Sequence, residues 1–267
     1  MNNLIKKAPW IFKQPLTKIP KNLGTQVSDL FVWRSSENWK TFFELINLPA
    51  LFTQDANDNY VNLILFDCNG NLLFKKKIQL LDRQRLTIDL DFFLNQNEQM
   101  HRVGEFGTFA VFHSYTPPIV QNLNAFISER GYVSYQYKNA PLRSYVHGNL
   151  DAISFYKEKF KSLGGRSFLQ RQYQLQYEFS DSDSKFYEVL VTNPCARKVK
   201  VTCATRLSNS DRSSWGESVI INPKGVYIFK IMADSLQPSK CVITSHLIMS
   251  RPLVFRINQN QFDVFHG

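Results

Sequence analysis

Four segments of this chain recur, in the same order, in its second half. "FFELINLP" (Phe42–Pro49) answers "FYEVLVTNP" (Phe186–Pro194), and "VNLILFDCNGNLL" (Val61–Leu73) answers "VKVTCATRLSN" (Val199–Asn209). "KIQLLDRQRLTIDL" (Lys77–Leu90) aligns without a gap on "SVIINPKGVYIFKI" (Ser218–Ile231). "FHSYTPPIV" (Phe112–Val120) resembles "SHLIMSRPLVF" (Ser245–Phe255). One weak match would mean little, but the shared order constrains the fold: whatever the first half builds, the second half builds again. Both members of the second pair alternate apolar and polar residues with a period of two, the signature of a half-buried strand. In the third pair, a short polar turn separates two such runs.

Short strands with frequent turns imply an all-β chain. With 22 Phe and 11 Tyr, the composition suits the pleated surface of a sheet. The expected architecture is two tandem, internally repeated antiparallel β-sandwiches of immunoglobulin-like type, at residues 24–125 and 168–267. An extended basic arm, 1–23, precedes them, and a connecting segment, 126–167, joins them. "CNGN" (Cys68–Asn71) predicts a type I′ hairpin turn, because Asn-Gly supplies positive φ. In the connecting segment, Ile153, Tyr156, Phe160 and Leu163 recur at helical spacing behind a capping Asn149. That spacing predicts a short helix over Asn149–Leu163, ended by Gly164–Gly165.

Charge and cysteine usage narrow the function class. The net charge is +10, and no acid occurs before Asp29, so five lysines make the arm strongly basic. The remaining excess is scattered, as in "KKK" (Lys75–Lys77) and "CARKVK" (Cys195–Lys200), without a recognition helix, zinc finger or aromatic RNA-binding strand. Nucleic acid is therefore not the expected partner. No apolar run has the length of a secretion signal or a membrane span, and Cys68, Cys195, Cys203 and Cys241 follow no paired spacing. A cytoplasmic protein without a disulfide framework is expected.

"ERGYVSYQYKNAPLRSYVHGN" (129–149) concentrates the residues most able to do chemistry. Arg130 and Arg143 can hold an anionic group, Tyr132 and Tyr135 can stack on a ring, and His147 and Asn149 can hydrogen-bond a polar ligand. The expectation is a non-catalytic binding protein that takes a carbohydrate or an anionic small molecule at the seam between the halves, without a cofactor. A protein partner or a second copy of the chain is a further expected contact. In the alternative reading, His147 acts as a catalytic base with Arg130, Arg143 and Glu129, and a metal is held by His113, His147, His246 and His266, which form two loosely matched pairs in the repeat. A third reading is a structural or assembly protein that docks through its arm. Catalytic signatures such as GxSxG, a P-loop or HExxH are absent. Glu44 and Glu188 match in the repeat, each inside an aromatic strand.

Overall fold

The computed structural model describes residues 17–18, 20, 25–53, 59–80, 85–96, 104–123, 126–138, 140–148, 150, 152–180, 186–207, 213–232, 238–248, 251–258 and 261–267. Its strands sort into five four-stranded sheets, in number and size the blades of a five-bladed propeller. Blade 1 runs β12 (Lys159–Ser162), β11 (Ile153–Tyr156), β1 (Gln26–Ser28), β8 (Ser128–Glu129). Blade 2 runs β2 (Phe31–Arg34), β7 (Phe106–His113), β4 (Tyr60–Asp67), β5 (Leu72–Gln79). Blade 3 runs β10 (Ser144–His147), β9 (Tyr132–Tyr137), β3 (Trp39–Ile46), β6 (Arg85–Asp89). Blade 4 runs β13 (Arg166–Phe179), β18 (Ser239–Leu247), β15 (Val199–Leu207), β16 (Ser213–Ile221). Blade 5 runs β17 (Val226–Met232), β14 (Phe186–Thr192), β19 (Leu253–Asn258), β20 (Gln261–His266). Neighbouring strands are antiparallel except for the parallel pair β1–β8. The described helices are short: α1 (Leu90–Asn95), α2 (Pro118–Asn122) and a 3₁₀ turn.

The blades are not consecutive meanders. The chain crosses repeatedly between blades 2 and 3 in the first half and between blades 4 and 5 in the second. Replacing each strand by its counterpart turns the order β2-β7-β4-β5 into β13-β18-β15-β16, and β10-β9-β3-β6 into β20-β19-β14-β17. Blades 2 and 4 therefore correspond, as do blades 3 and 5.

The expected pair of tandem immunoglobulin-like sandwiches is overturned by this arrangement of five small sheets. Residues 126–167 do not act as a connector: they supply β8 through β12, completing blade 1 and providing half of blade 3. Blade 5 is buried on both faces. Val189, Val191, Phe229 and Val254 pack toward blade 4, while Leu190, Val226, Phe255 and Val264 join the core of blades 2 and 3 around Trp33, Phe43 and Tyr135. Blade 1 covers the outer side of blade 2, where Ile153 and Phe155 meet Ile64, Phe66, Ala110 and Phe112. Burial on both faces explains why "NLILF" and "YEVLV" read as nearly unbroken apolar runs.

The predicted helix over Asn149–Leu163 is a hairpin of β11 and β12. Its turn residues Lys157 and Glu158 both have positive φ, 45° and 61°, the type I′ geometry, without the Asn-Gly signal that normally announces it. Phe155 and Phe160 stack across the hairpin at 5.0 Å between ring centroids. The Cys68–Asn71 turn differs from expectation in the opposite sense. Only Gly70 has positive φ, and its amide donates to the Asp67 carbonyl at 3.0 Å, so the loop is a type I turn with a bulge. This turn docks on the second half: the Val226 amide donates to the Cys68 carbonyl at 3.0 Å, and a Cβ on Gly70 would fall 2.0 Å from the Pro223 oxygen.

Of the basic arm, only Thr17, Lys18 and Pro20 are described, and Thr17 bridges Gly164. Lys75–Lys77 lie on β5 at the edge of blade 2, where exposed lysines discourage edge-to-edge pairing.

Candidate functional site

The outward face of blade 3 is assembled from the stretch that the sequence singles out. Directly paired residues on neighbouring strands point to the same side of a sheet. Register therefore sets Thr87, Glu44, Tyr132 and His147 in one row across blade 3, and Phe42, Ser134 and Tyr145 in the next. Tyr132 and Tyr145 are about half exposed, at 52% and 48%, and the Tyr132 and His147 rings meet edge to face at 6.2 Å. The Arg143 guanidinium lies 3.4 Å above the centre of the Phe42 ring and 3.9 Å from Glu44. One blade thus gathers Tyr132, Arg143, Tyr145 and His147.

Glu44 is the polar centre of this face. Its carboxylate accepts from Thr87 Oγ1 at 2.8 Å and from Arg85 Nη2 at 3.1 Å. A cavity of about 580 Å³ opens here, bounded by Glu44, Arg85, Glu129, Arg130, Tyr132 and Tyr145. Its inner wall is tied by hydrogen bonds. Glu129 is buried, with Oε2 2.7 Å from His113 Nε2 and Oε1 accepting from the Gly131 amide at 2.7 Å. A Cβ at position 131 would lie 2.8 Å from both Glu129 Oε1 and the Glu44 carbonyl oxygen, so glycine is what lets the chain pass between the two glutamates.

Other residues from the sequence reading go elsewhere. Tyr135 faces the core, fully buried, donating to the Val32 carbonyl at 2.9 Å; burial pushes its phenol far above the usual range. Arg143 also borders an open groove beside Lys138, Leu142 and Phe262. Asn149 lies outside the described residues. The proposed histidine quartet separates: His113 bonds Glu129, and His246 approaches the Ser167 carbonyl at 3.3 Å. His147 and His266 do come together, with ring centroids 5.0 Å apart and His266 Nε2 2.8 Å from the His147 carbonyl oxygen. Burial, assisted by His147 and Arg251, lowers the pKa of His266. Among the described residues, no group of three His, Cys, Asp or Glu is arranged to hold a metal ion. The seam cavity beside His147, His266 and Asp29 measures about 60 Å³, room for water but not for a sugar.

Sequence reasoning missed the ion pair that joins the halves. Arg34 Nη1 bonds Glu188 Oε2, both side chains buried, and the guanidinium stacks 3.9 Å over Trp39. Burial pulls the Arg34 pKa down, and Glu188 pushes it back up. The available signal was Glu188 itself, a carboxylate inside an apolar strand, which can stay buried only if it is paired.

No family model matches the sequence, and neither does any curated protein. Among the described residues, no helix is long and apolar enough to cross a membrane.

Proposed function

We propose that this is a non-catalytic binding protein whose ligand, a carbohydrate, rests on the outward face of blade 3. The observation that carries the reading is the pair of half-exposed tyrosines, Tyr132 and Tyr145, beside a carboxylate held in place by Arg85, Thr87 and Arg143. Tyrosine rings offer flat apolar area with a polar tip, which suits the C–H face of a sugar ring. Fixed carboxylate and guanidinium groups offer acceptors and donors to hydroxyls at little ordering cost. Arg130 and Arg143 extend the reading to acidic sugars, through charge-assisted bonds to a carboxylate or sulfate. We place the protein in a reducing compartment, the cytoplasm, a placement supported by its four free thiols.

Glycan-array screening of the purified chain, followed by calorimetry on the strongest hits, tests this. Tyr132→Ala and Tyr145→Ala are each expected to weaken binding about tenfold, about 1.4 kcal/mol. Absence of binding to every neutral and acidic glycan would remove the reading. Turnover of a glycoside, lost in His147→Ala, would replace it with the enzymatic alternative.

A further inference from the structure

A second concave site lies apart from blade 3 and shares no residue with it. The exposed side chains of Lys18, Arg166 and Arg197 line a cavity of about 500 Å³ together with Gly164, Gly165 and Cys195, and among the described residues no acidic one lines it. None of the three cations pairs with a carboxylate among the described residues. They arrive from three stretches far apart in sequence: the end of the basic arm, the start of β13 just after Gly164–Gly165, and the "CARKVK" segment. Like charges brought together this way repel one another, and an unpaired cluster in a concavity raises the local potential for an anion.

The cluster is built on a fixed frame. Asn193, fully buried, donates from Nδ2 to the Arg197 and Ile221 carbonyls, both at 2.9 Å, and accepts from the Cys195 amide at 2.9 Å. The Gly164 amide donates to the Pro194 carbonyl at 3.0 Å, and a Cβ there would lie 2.6 Å from Pro194 Cγ. Cys195 Sγ bonds the Gly165 carbonyl at 3.2 Å, and the Lys18 amide donates to the Leu163 carbonyl at 2.8 Å. Three chain segments are thus tied together before any ligand arrives, which reduces the ordering cost of binding. Two arginines and a lysine around one opening can donate to the oxygens of a phosphate group, which guanidinium groups bind through paired donors.

We infer that this pocket binds the phosphate group of a small phosphorylated molecule. Calorimetric titration of the full chain with sodium pyrophosphate, and separately with glucose 6-phosphate, tests it, with sodium chloride of equal ionic strength as the blank. Binding of either probe is expected, with a loss of about tenfold or more in Arg166→Ala/Arg197→Ala. Lys76→Ala/Lys77→Ala, which removes as much charge from the β5 edge, should bind as the parent does. Ala196→Glu sets a carboxylate at the exposed lip without touching the frame and should abolish binding even if the double arginine variant folds poorly. No binding of either probe, an unchanged Ala196→Glu variant, or an equal loss in the Lys76/Lys77 control would overturn the inference.

Discussion

Blades 3 and 5 are counterparts in the repeat, with matching strand orders, yet the same face has two fates. On blade 3 it lies open and carries Tyr132, Tyr145 and Arg143 around Glu44. On blade 5 it carries Glu188, Leu190, Phe255 and Val264, pressed into the core of the first half. Both glutamates find an arginine, but from different places. Arg85 comes from the neighbouring strand of the same blade and stays 71% exposed, whereas Arg34 comes from the other half of the molecule and is buried. Matching positions of the repeat form the centre of a surface in one half and a clamp between the halves in the other.

The glutamates give the sharpest test. Glu188→Ala strands a buried guanidinium and is expected to cost about 3–5 kcal/mol in urea unfolding. Glu44→Ala leaves Arg85 in solvent and Arg143 partly exposed over Phe42, and should cost about 1 kcal/mol. Equal costs would break the distinction between surface and clamp. Replacing the whole clamp, Arg34→Met with Glu188→Leu, should recover stability to within about 1 kcal/mol of the parent or above it, because apolar packing substitutes well for a buried pair. If the double variant is as unstable as Glu188→Ala alone, the clamp specifies how the halves dock rather than only avoiding a buried charge. Tyr132→Ala and Tyr145→Ala should leave stability within about 0.5 kcal/mol while lowering ligand affinity, as befits a free face. A large stability loss would show that the face is a packed element in disguise.

The smallest effect concerns His266. A lowered folded-state pKa means that the unfolded chain binds the proton more readily. Stability is therefore full above the unfolded value of about 6.5 and declines as pH falls from there through the folded value. His266→Gln should flatten that decline in urea midpoints measured from about pH 8 to 5, a range set by the histidine pKa. An unchanged slope would assign the decline to another group.

Much of the β framework was legible because the repeated segments are strands with one or both faces apolar. The blade-3 face was partly legible too: Tyr132, Arg143 and His147 are named by the sequence, and pairing of β9 with β10 brings them to one side. Tyr135 went to the core instead because it sits one step out of phase, and period two sends odd and even positions to opposite sides. The hairpin of β11 and β12 was hidden because Ile153, Tyr156, Phe160 and Leu163 satisfy helical spacing, while the turn that decides the matter uses Lys157 and Glu158 in a conformation those residues seldom adopt. Arg85, one of the three side chains that support Glu44, is the first residue of β6 and carries no local signal in the sequence. Its role depends on the pairing of β3 with β6.

The Asn69–Gly70 turn has a consequence for how the protein ages. Asn-Gly deamidates when the glycine amide nitrogen swings round to attack the asparagine side chain and close a five-membered ring. Here the Gly70 amide donates to the Asp67 carbonyl, and the turn is wedged against Pro223 from the other half. Ring closure requires the turn to give up that hydrogen bond and to shift against Pro223. Asn69 is therefore expected to turn into aspartate and isoaspartate more slowly in the folded chain than in the urea-unfolded one, a difference that peptide mapping of aged samples would show.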